Sequence, residues 1–385
     1  MLTGEFPPDH GGVGDYTARL ASALAARGIP VGVLTDIHAG MPAAWMHVRH
    51  AVRVPVRAQI GGWDPACLPH VVRALRCLGS QPILHIQYQA GAFDLGGTIH
   101  LVPTIARALR PRCRVVTTFH DFRIPYLFPK AGPLRLAANR LLARSSDAAI
   151  FTEQGDRDLA RVEGHVIPIG SNIDPVRAER GTLDAARAKI GAHAGDTVIG
   201  YFGFLNSSKG LETLLAAVRQ LVDRGLPIRL ALLGGSAGAS DPTDRATSDR
   251  LSAALAALGL SDLTYRSGFV EAPALSVLLG ACDVMALPFE DGASLRRGSL
   301  MAALAHGLPI VTTQPADASS TLVHARNALL VPAGDSVALG TALERLIGEP
   351  STRAALSQGA LELAREFDWD TIAARTANVY AQVLA

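Results

Sequence analysis

A lysine closes a loop bounded by two glycines, Gly203 and Gly210, just before a helical stretch. The ammonium of Lys209 can bind a phosphate oxygen, and the N-terminus of the helix adds partial positive charge. The spacing is not that of a P-loop, so it does not indicate ATP binding. An ordinary surface lysine is the alternative interpretation of this residue.

A second loop concentrates charged, hydroxyl and glycine residues between two apolar segments, 283–287 and 300–305. Arginine forks suit phosphate oxygens, and carboxylates suit sugar hydroxyl groups. A solvated loop with internal ion pairs is the alternative, but the apolar segments on both sides favour binding. The candidate ligand-binding residues of this loop are Glu290, Asp291, Gly292, Ser294, Arg296, Arg297 and Ser299.

A glycine-rich turn, residues 11–14, follows the opening apolar residues and precedes a helix. At Gly11 and Gly12 the backbone N–H groups can approach an anionic group, which the helix N-terminus also favours. A tight strand–helix turn needs the same glycines, so both interpretations stay open.

The motif of residues 118–121, Thr-Phe-His-Asp, lies at the end of a strongly apolar strand and contains His120. This histidine can donate a hydrogen bond or transfer a proton near neutral pH. A satisfied structural histidine is the alternative, and the position at a strand end favours function. Residues 85–88, His-Ile-Gln-Tyr, end another buried strand in the same way.

Apolar runs alternate with helical patterns along the whole chain, which predicts parallel sheets covered on both faces. One helix has a 3.6-residue stripe of Val13, Tyr16, Leu20 and Leu24. The tail 352–384 is predicted to be helical, with Trp369 as a packing anchor. The predicted strands are 30–35, 52–56, 83–86, 115–119, 148–151, 198–201, 228–233, 284–287 and 310–312.

The alternation weakens over the polar stretch 174–196, where we place a domain boundary. Two doubly wound domains in succession predict one cleft between them. Ligands of such sheets bind beyond the carboxyl ends of the strands, and the four motifs follow predicted strands.

The composition and the cysteine pattern argue against several classes of protein. The 385 residues are 49% hydrophobic and 18% charged with a net charge of +2, which gives no electrostatic footprint for nucleic acid. The four cysteines have no metal-ligand spacing, so no zinc site is expected, and they fit a reducing cytosol. No apolar run is long enough for a membrane span, and the glycine turn begins too early for a signal peptide. The start, residues 1–4, has the character of the end of a buried strand.

Together these motifs resemble the retaining GT-B glycosyltransferases of family 4, the group 1 type, over nearly the whole chain. Each motif alone is weak, and their order and spacing carry the resemblance. They are residues 4–8 with 11–14, 119–121, 166–170, the loop ending at 210, 232–235, 305–311 and 367–369.

The resemblance implies two Rossmann-like domains that face each other across a cleft. Residues 1–175 would bind the acceptor and 176–365 a nucleotide-diphosphate sugar, and the helix 366–385 would return to the first domain. Gly12 would lie near the diphosphate, His120 at the donor sugar and Lys209 at the distal phosphate, with Gly234 also at the donor. No cofactor and no metal would be needed, because cationic groups neutralise the leaving diphosphate.

The chain departs from the family pattern at two places. Phe204 stands where the family has an arginine, and Ser294 and Ala302 stand at the family's carboxylate pair. Alanine cannot hold a ribose hydroxyl. Replacements are available nearby: Arg296 or Arg297 for the cation, Glu290 or Asp291 for the acid, and Ser299, one helical turn before Ala302, for the ribose.

These departures leave two other classes open. One is a nucleotide-sugar-binding protein that has lost transfer, and the other is an epimerase or phosphorylase on the same architecture. A nicotinamide dehydrogenase is not expected, because no strand is followed by GxGxxG with an acid about 20 residues on. The acceptor, a saccharide, a lipid-linked compound or a small molecule, would be chosen by loops 90–97 and 123–133. We expect a cytoplasmic protein, and a peripheral position at the inner face of the membrane is compatible with a lipid-linked acceptor.

Overall fold

The structure is a computed structural model that describes residues 1–9, 11–37, 41–76, 79, 81–122, 132–203, 209–234, 242–316 and 320–385, with 242–248 as backbone only. Phe204, Gly235 and most of the predicted acceptor loop 123–133 lie outside these ranges. Chain contacts divide the protein into two compact units. Unit 1 is Met1–Gly170 with Phe367–Ala385, and unit 2 is Ser171–Glu366. The predicted domain limits and the ligand of each domain stay predictions.

Unit 1 contains an eight-stranded sheet in the order β3-β4-β2-β1-β5-β6-β7-β8. All neighbours are parallel except the edge pair β3–β4. Its strands are β1 (Leu2–Thr3), β2 (Val33–Asp36), β3 (Ala44–Arg49), β4 (Val52–Ile60), β5 (Ile83–Tyr88), β6 (Arg114–Phe119), β7 (Ala148–Phe151) and β8 (His165–Val166).

Helices cover this sheet and bury its apolar faces. The predicted stripe on helix α1 (Gly12–Ala26) is buried at all four positions, and α1 packs with the C-terminal helix α13 (Trp369–Leu384) in one apolar cluster. That cluster contains Tyr16, Leu20, Ile372 and Tyr380, with Trp369 at its margin. The helices of unit 1 are α1 (Gly12–Ala26), α2 (Leu68–Arg76), α3 (Val102–Leu109), α4 (Gly132–Ser145), α5 (Gln154–Ala160) and α13 (Trp369–Leu384).

Unit 2 contains a six-stranded parallel sheet in the order β11-β10-β9-β12-β13-β14. Its strands are β9 (Thr197–Phe202), β10 (Ile228–Leu233), β11 (Thr264–Arg266), β12 (Val284–Leu287), β13 (Ile310–Thr313) and β14 (Leu329–Val331). Its helices are α6 (Arg180–Ile190), α7 (Leu211–Asp223), α8 (Pro242–Ala257), α9 (Ala272–Gly280), α10 (Gly298–Ala305), α11 (Ser336–Gly348) and α12 (Pro350–Ala364).

Both sheets have a topological switch point, where the chain leaves neighbouring strands toward opposite edges. In unit 1 the switch lies between β1 and β5, and in unit 2 between β9 and β12. Such points leave a crevice beyond the carboxyl ends of the strands, which is where ligands of doubly wound sheets bind. The candidate motifs follow the strands at or beside these two points.

The α/β fold with two doubly wound sheets is confirmed, and each predicted strand has a counterpart. The predicted helical tail 352–384 is confirmed as two helices, because α12 ends at Ala364 and α13 begins at Trp369. The side chain of Asp368 accepts a hydrogen bond from the backbone N–H of Asp370, which marks a new helix start. Among the described helices, none is both long and apolar enough to cross a membrane.

Candidate active site

The end of β9 in unit 2 is shaped to receive Lys209. Gly203 has a φ of +140°, and a Cβ at this residue would lie 2.5 Å from the Lys209 Nζ. The missing side chain therefore lets the lysine lie against the strand end. Burial, and then the positive charge of Arg297, lower the pKa of Lys209 to about 8.

The residue after the lysine anchors the loop to the neighbouring strand. Gly210 is the N-cap of α7 with a φ of +67°, and a Cβ there would overlap the carbonyl oxygen of Pro288. Since Pro288 directly follows β12, this contact holds Lys209 at the switch point of unit 2.

The loop after β12 is tied to the adjacent strand β13. Thr313 Oγ1 donates to the carbonyl oxygen of Phe289 at 2.8 Å, and Thr312 Oγ1 donates to that of Leu287 at 2.7 Å. Gly292 has a φ of +88°, and a Cβ there would lie 2.9 Å from the carbonyl oxygen of Gln314. A larger residue at 292 would push the loop away from β13.

Arg297 is the guanidinium whose charge acts on Lys209. Its Cζ lies 4.7 Å from the centroid of the Phe289 ring, and it forms an ion pair with Asp291. The aromatic face and the carboxylate orient a group with a fixed fork, which suits the binding of two phosphate oxygens. Two cations therefore lie close together where the fold forms its crevice.

The other predicted binding residues of the loop after β12 differ in their burial and in their hydrogen bonds. Ser294 Oγ accepts a hydrogen bond from the backbone N–H of Arg296 at 3.2 Å, which forms a turn before α10. Glu290 is exposed. Ser299 Oγ is buried with no hydrogen-bond partner among the described residues, and Ala302 lies fully buried within α10.

Gly234 directly follows β10 and lies beside Gly203. Its backbone N–H donates to Ser267 Oγ at 3.0 Å, and a Cβ at Gly234 would lie 3.1 Å from the carbonyl oxygen of Gly203. The close approach of two glycines keeps the strand ends beside Lys209 free of side chains.

In unit 1, His120 directly follows β6. Its Nε2 lies 2.9 Å from Gln87 Oε1, and its ring meets the edge of the Tyr16 ring at a centroid distance of 4.5 Å. Burial lowers the pKa of His120 to about 3, so the imidazole is neutral at physiological pH. A neutral ring suits hydrogen bonding to a ligand better than proton transfer.

The glycine-rich turn of unit 1 binds a carboxylate of the protein itself, that of Glu5. Glu5 Oε1 accepts hydrogen bonds from the backbone N–H groups of Val13 at 2.8 Å and Gly14 at 3.0 Å. A Cβ at Gly11 would overlap this carboxylate, whereas one at Gly12 would meet no atom within 4 Å. The predicted place of Gly11 and Gly12 at the donor diphosphate stays a prediction.

We expect Glu5→Ala to lower the free energy of unfolding by about 1–2 kcal/mol, because two N–H groups at a helix N-terminus lose a charged acceptor. Urea denaturation measures this. Glu5→Gln is the matched control: it keeps an oxygen acceptor and should cost less. Equal stability of Glu5→Ala and the unchanged protein would show that the carboxylate does not cap α1.

One acidic group was missed by sequence reasoning. Asp36 ends β2, and burial together with the carboxylates of Asp94, Asp9 and Glu5 raises its pKa to about 7. Asp36 carries no motif, and its acidic neighbours come from separate segments of unit 1. Only the fold brings these carboxylates together.

Two family descriptions match the chain. "Glycosyl transferases group 1" matches residues 196–349 and "Glycosyl transferase 4-like domain" matches residues 11–170. D-inositol 3-phosphate glycosyltransferase of Xylanimonas cellulosilytica is 27% identical, over 97% of this chain and 92% of that protein.

Solved structures share the fold. Sucrose-phosphate synthase from Thermosynechococcus elongatus has a TM-score of 0.73 and 24% identity, over 97% of this chain and 94% of its own. Anabaena HepE in complex with UDP has a TM-score of 0.74 and 20% identity, over 96% of each chain.

The two doubly wound sheets and the two family matches together identify the chain as a GT-B glycosyltransferase. The chain belongs to family 4 of these enzymes, the group 1 type. It transfers a sugar from a nucleotide sugar to an acceptor hydroxyl with retention of the anomeric configuration.

Proposed function

We propose that the donor is a uridine diphosphate hexose whose diphosphate binds Lys209 and Arg297 in unit 2. The observation that carries the proposal is that Lys209 lies against the end of β9 while Arg297 lies in the loop after the neighbouring strand β12, where its charge acts on Lys209. The uridine base is supported by related structures, since HepE was solved with UDP-glucose and a second structure of similar fold, from E. coli, with UDP-2-fluoro glucose.

Arg297 supplies the second cation that the family pattern has at the position of Phe204. Its guanidinium is held by Phe289 and Asp291, and it shares its surroundings with Lys209. Arg296, the other arginine that we predicted here, follows the Ser294 turn and borders the same loop. An ammonium and a guanidinium together offset the charge of a diphosphate more fully than either alone.

The ribose is proposed to meet Ser299 in place of the family's second carboxylate. Ser299 Oγ is buried and unpaired among the described residues, and a hydroxyl can both donate to and accept from a ribose hydroxyl. Ala302 offers no polar atom, so the ribose contact moves one helical turn toward the start of α10.

For the transfer we propose the front-face route that the family resemblance implies. The acceptor oxygen bonds to the anomeric carbon on the face from which the diphosphate oxygen departs, and the acceptor proton passes to that diphosphate. His120 holds a hydroxyl of the donor sugar as a neutral hydrogen-bonding group. The protein contributes positioning and charge stabilisation.

A nucleotide panel tests the donor. The protein is incubated separately with UDP, GDP and ADP, and its melting temperature is measured, because a ligand that binds the folded state raises it. UDP should raise the melting temperature most, and UDP-hexoses should then be turned over with a retained anomeric configuration in the product by NMR. A larger rise with GDP or ADP would contradict the uridine donor.

A further inference from the structure

A chain of buried polar side chains in unit 1 ends at His120. Tyr380 of α13 places its hydroxyl 2.6 Å from His85 Nδ1, and His85 Nε2 lies 2.7 Å from Thr118 Oγ1 and 3.2 Å from Gln87 Nε2. Gln87 Oε1 then lies 2.9 Å from His120 Nε2. The chain therefore runs from the C-terminal helix to the predicted donor-sugar contact.

The side chains of this hydrogen-bonded series are buried, so each of them needs a matched hydrogen-bond partner. Gln87 and Thr118 are fully buried, and His85 is 1% exposed. A buried polar group that loses its partner costs more than the bond itself contributes, so each member must match its neighbours as donor or acceptor.

The donors and acceptors along the chain are set by the Gln87 amide. In the orientation of the amide found here, its NH2 group donates to His85 Nε2, which also accepts from the Thr118 hydroxyl. His85 then carries its proton on Nδ1, which donates to the Tyr380 oxygen. In the same orientation the amide oxygen accepts from His120 Nε2, which places the proton of His120 on that nitrogen. The opposite orientation of the amide would reverse every donor in this chain.

We propose that Gln87 is a positioning residue for glycosyl transfer: it holds His120 in the Nε2-protonated tautomer, with the Nδ1 lone pair presented to a donor-sugar hydroxyl. This rests on the proposed role of His120. The register of the sheet makes it possible, because Gln87 pairs with Thr118 and so lies beside the end of β6.

Tyr16 restrains the same ring from a second direction. Its edge contact fixes the plane of the His120 imidazole, while Gln87 fixes which nitrogen bears the proton. A ring held in this way presents one nitrogen in one direction, and a change of tautomer would replace an acceptor with a donor at that point.

Two variants of Gln87 and one control test the proposal. Gln87→Met has a similar length but no acceptor, Gln87→Glu keeps an acceptor for His120, and Tyr88→Phe removes the nearby buried bond to Asn139, which is not part of the chain. Nitrogen-15 NMR of histidine reports the protonated nitrogen of His120, and steady-state kinetics report kcat and the KM for the donor.

We expect Gln87→Met to lower kcat about 10-fold, with KM changed less than about 3-fold, and to convert His120 to a mixture of tautomers. Gln87→Glu should keep the Nε2-protonated form, and Tyr88→Phe should leave the tautomer and kcat unchanged. A wild-type His120 protonated on Nδ1, or an unchanged tautomer and kcat in Gln87→Met, would overturn the proposal. If His120→Ala retains full kcat, the role of His120 fails, while the NMR result still decides whether Gln87 sets the tautomer.

Discussion

Lys209→Ala is expected to lower kcat/KM for the donor about 10- to 150-fold, the equivalent of about 1.5–3 kcal/mol for a lost charge-assisted hydrogen bond. The loss should be large because the lysine is half-buried beside Arg297, so water replaces its ammonium only in part. Steady-state kinetics measure the change.

Lys189→Ala is the matched control, because this lysine is exposed on α6 in the same unit. It should change kcat/KM less than twofold. Unchanged donor turnover in Lys209→Ala would remove this residue from the site.

The pH dependence offers an independent measure of the same group. A pKa of about 8 means that Lys209 is charged below pH 8 and loses its charge as the pH rises through that value. The kcat/KM of the wild type should therefore fall above about pH 8, since this ratio reports ionisation in the free enzyme. Lys209→Arg stays charged in this range and should lack that fall.

Gly210→Ala is expected to reduce the free energy of unfolding by about 3–5 kcal/mol. The added Cβ would overlap a backbone carbonyl, that of Pro288, and a left-handed φ of +67° is itself unfavourable for alanine. The main chain must shift to accept it, which also displaces the adjacent Lys209. Urea denaturation gives the stability, and kcat/KM at low temperature gives the effect on the site.

The variant Gly225→Ala separates the steric overlap with a carbonyl group from the effect of the left-handed φ. This glycine lies after the other end of α7 with a φ of +73°, but a Cβ there would meet no atom within 4 Å. Only the unfavourable left-handed φ applies there, so the free energy of unfolding should fall by about 1–2 kcal/mol. Equal costs for the two variants would show that Gly210 does not approach Pro288 as described.

The strands inside the two sheets could be predicted from the sequence because they are buried on both faces. The bounds of β7 and β12 follow continuous apolar runs, and those of β10 follow a run interrupted only by Arg229. The edge strand β3 was missed, since its residues alternate between exposed and half-buried and form no apolar run. The short strands β8, β11 and β14 also lack a pattern of sufficient length.

The motifs of the site were predictable, but their partners were not. The sequence offered Arg296 or Arg297 as a replacement for the missing cation, and our proposal of Arg297 depends on a loop conformation set by Gly292 and Thr313. The cap formed by Glu5 depends on a turn that returns to it eight residues later. Gln87 reaches His120 only through the register of two strands, which spacing along the chain does not reveal.

The central claim is that Lys209 and Arg297 together hold the donor diphosphate, and a crystal structure of the protein with UDP tests it most directly. We expect phosphate oxygens at about 2.7–3.2 Å from the Lys209 ammonium and from the Arg297 guanidinium, at the carboxyl ends of β9 and β12. A diphosphate bound with neither side chain within hydrogen-bond distance would contradict the account.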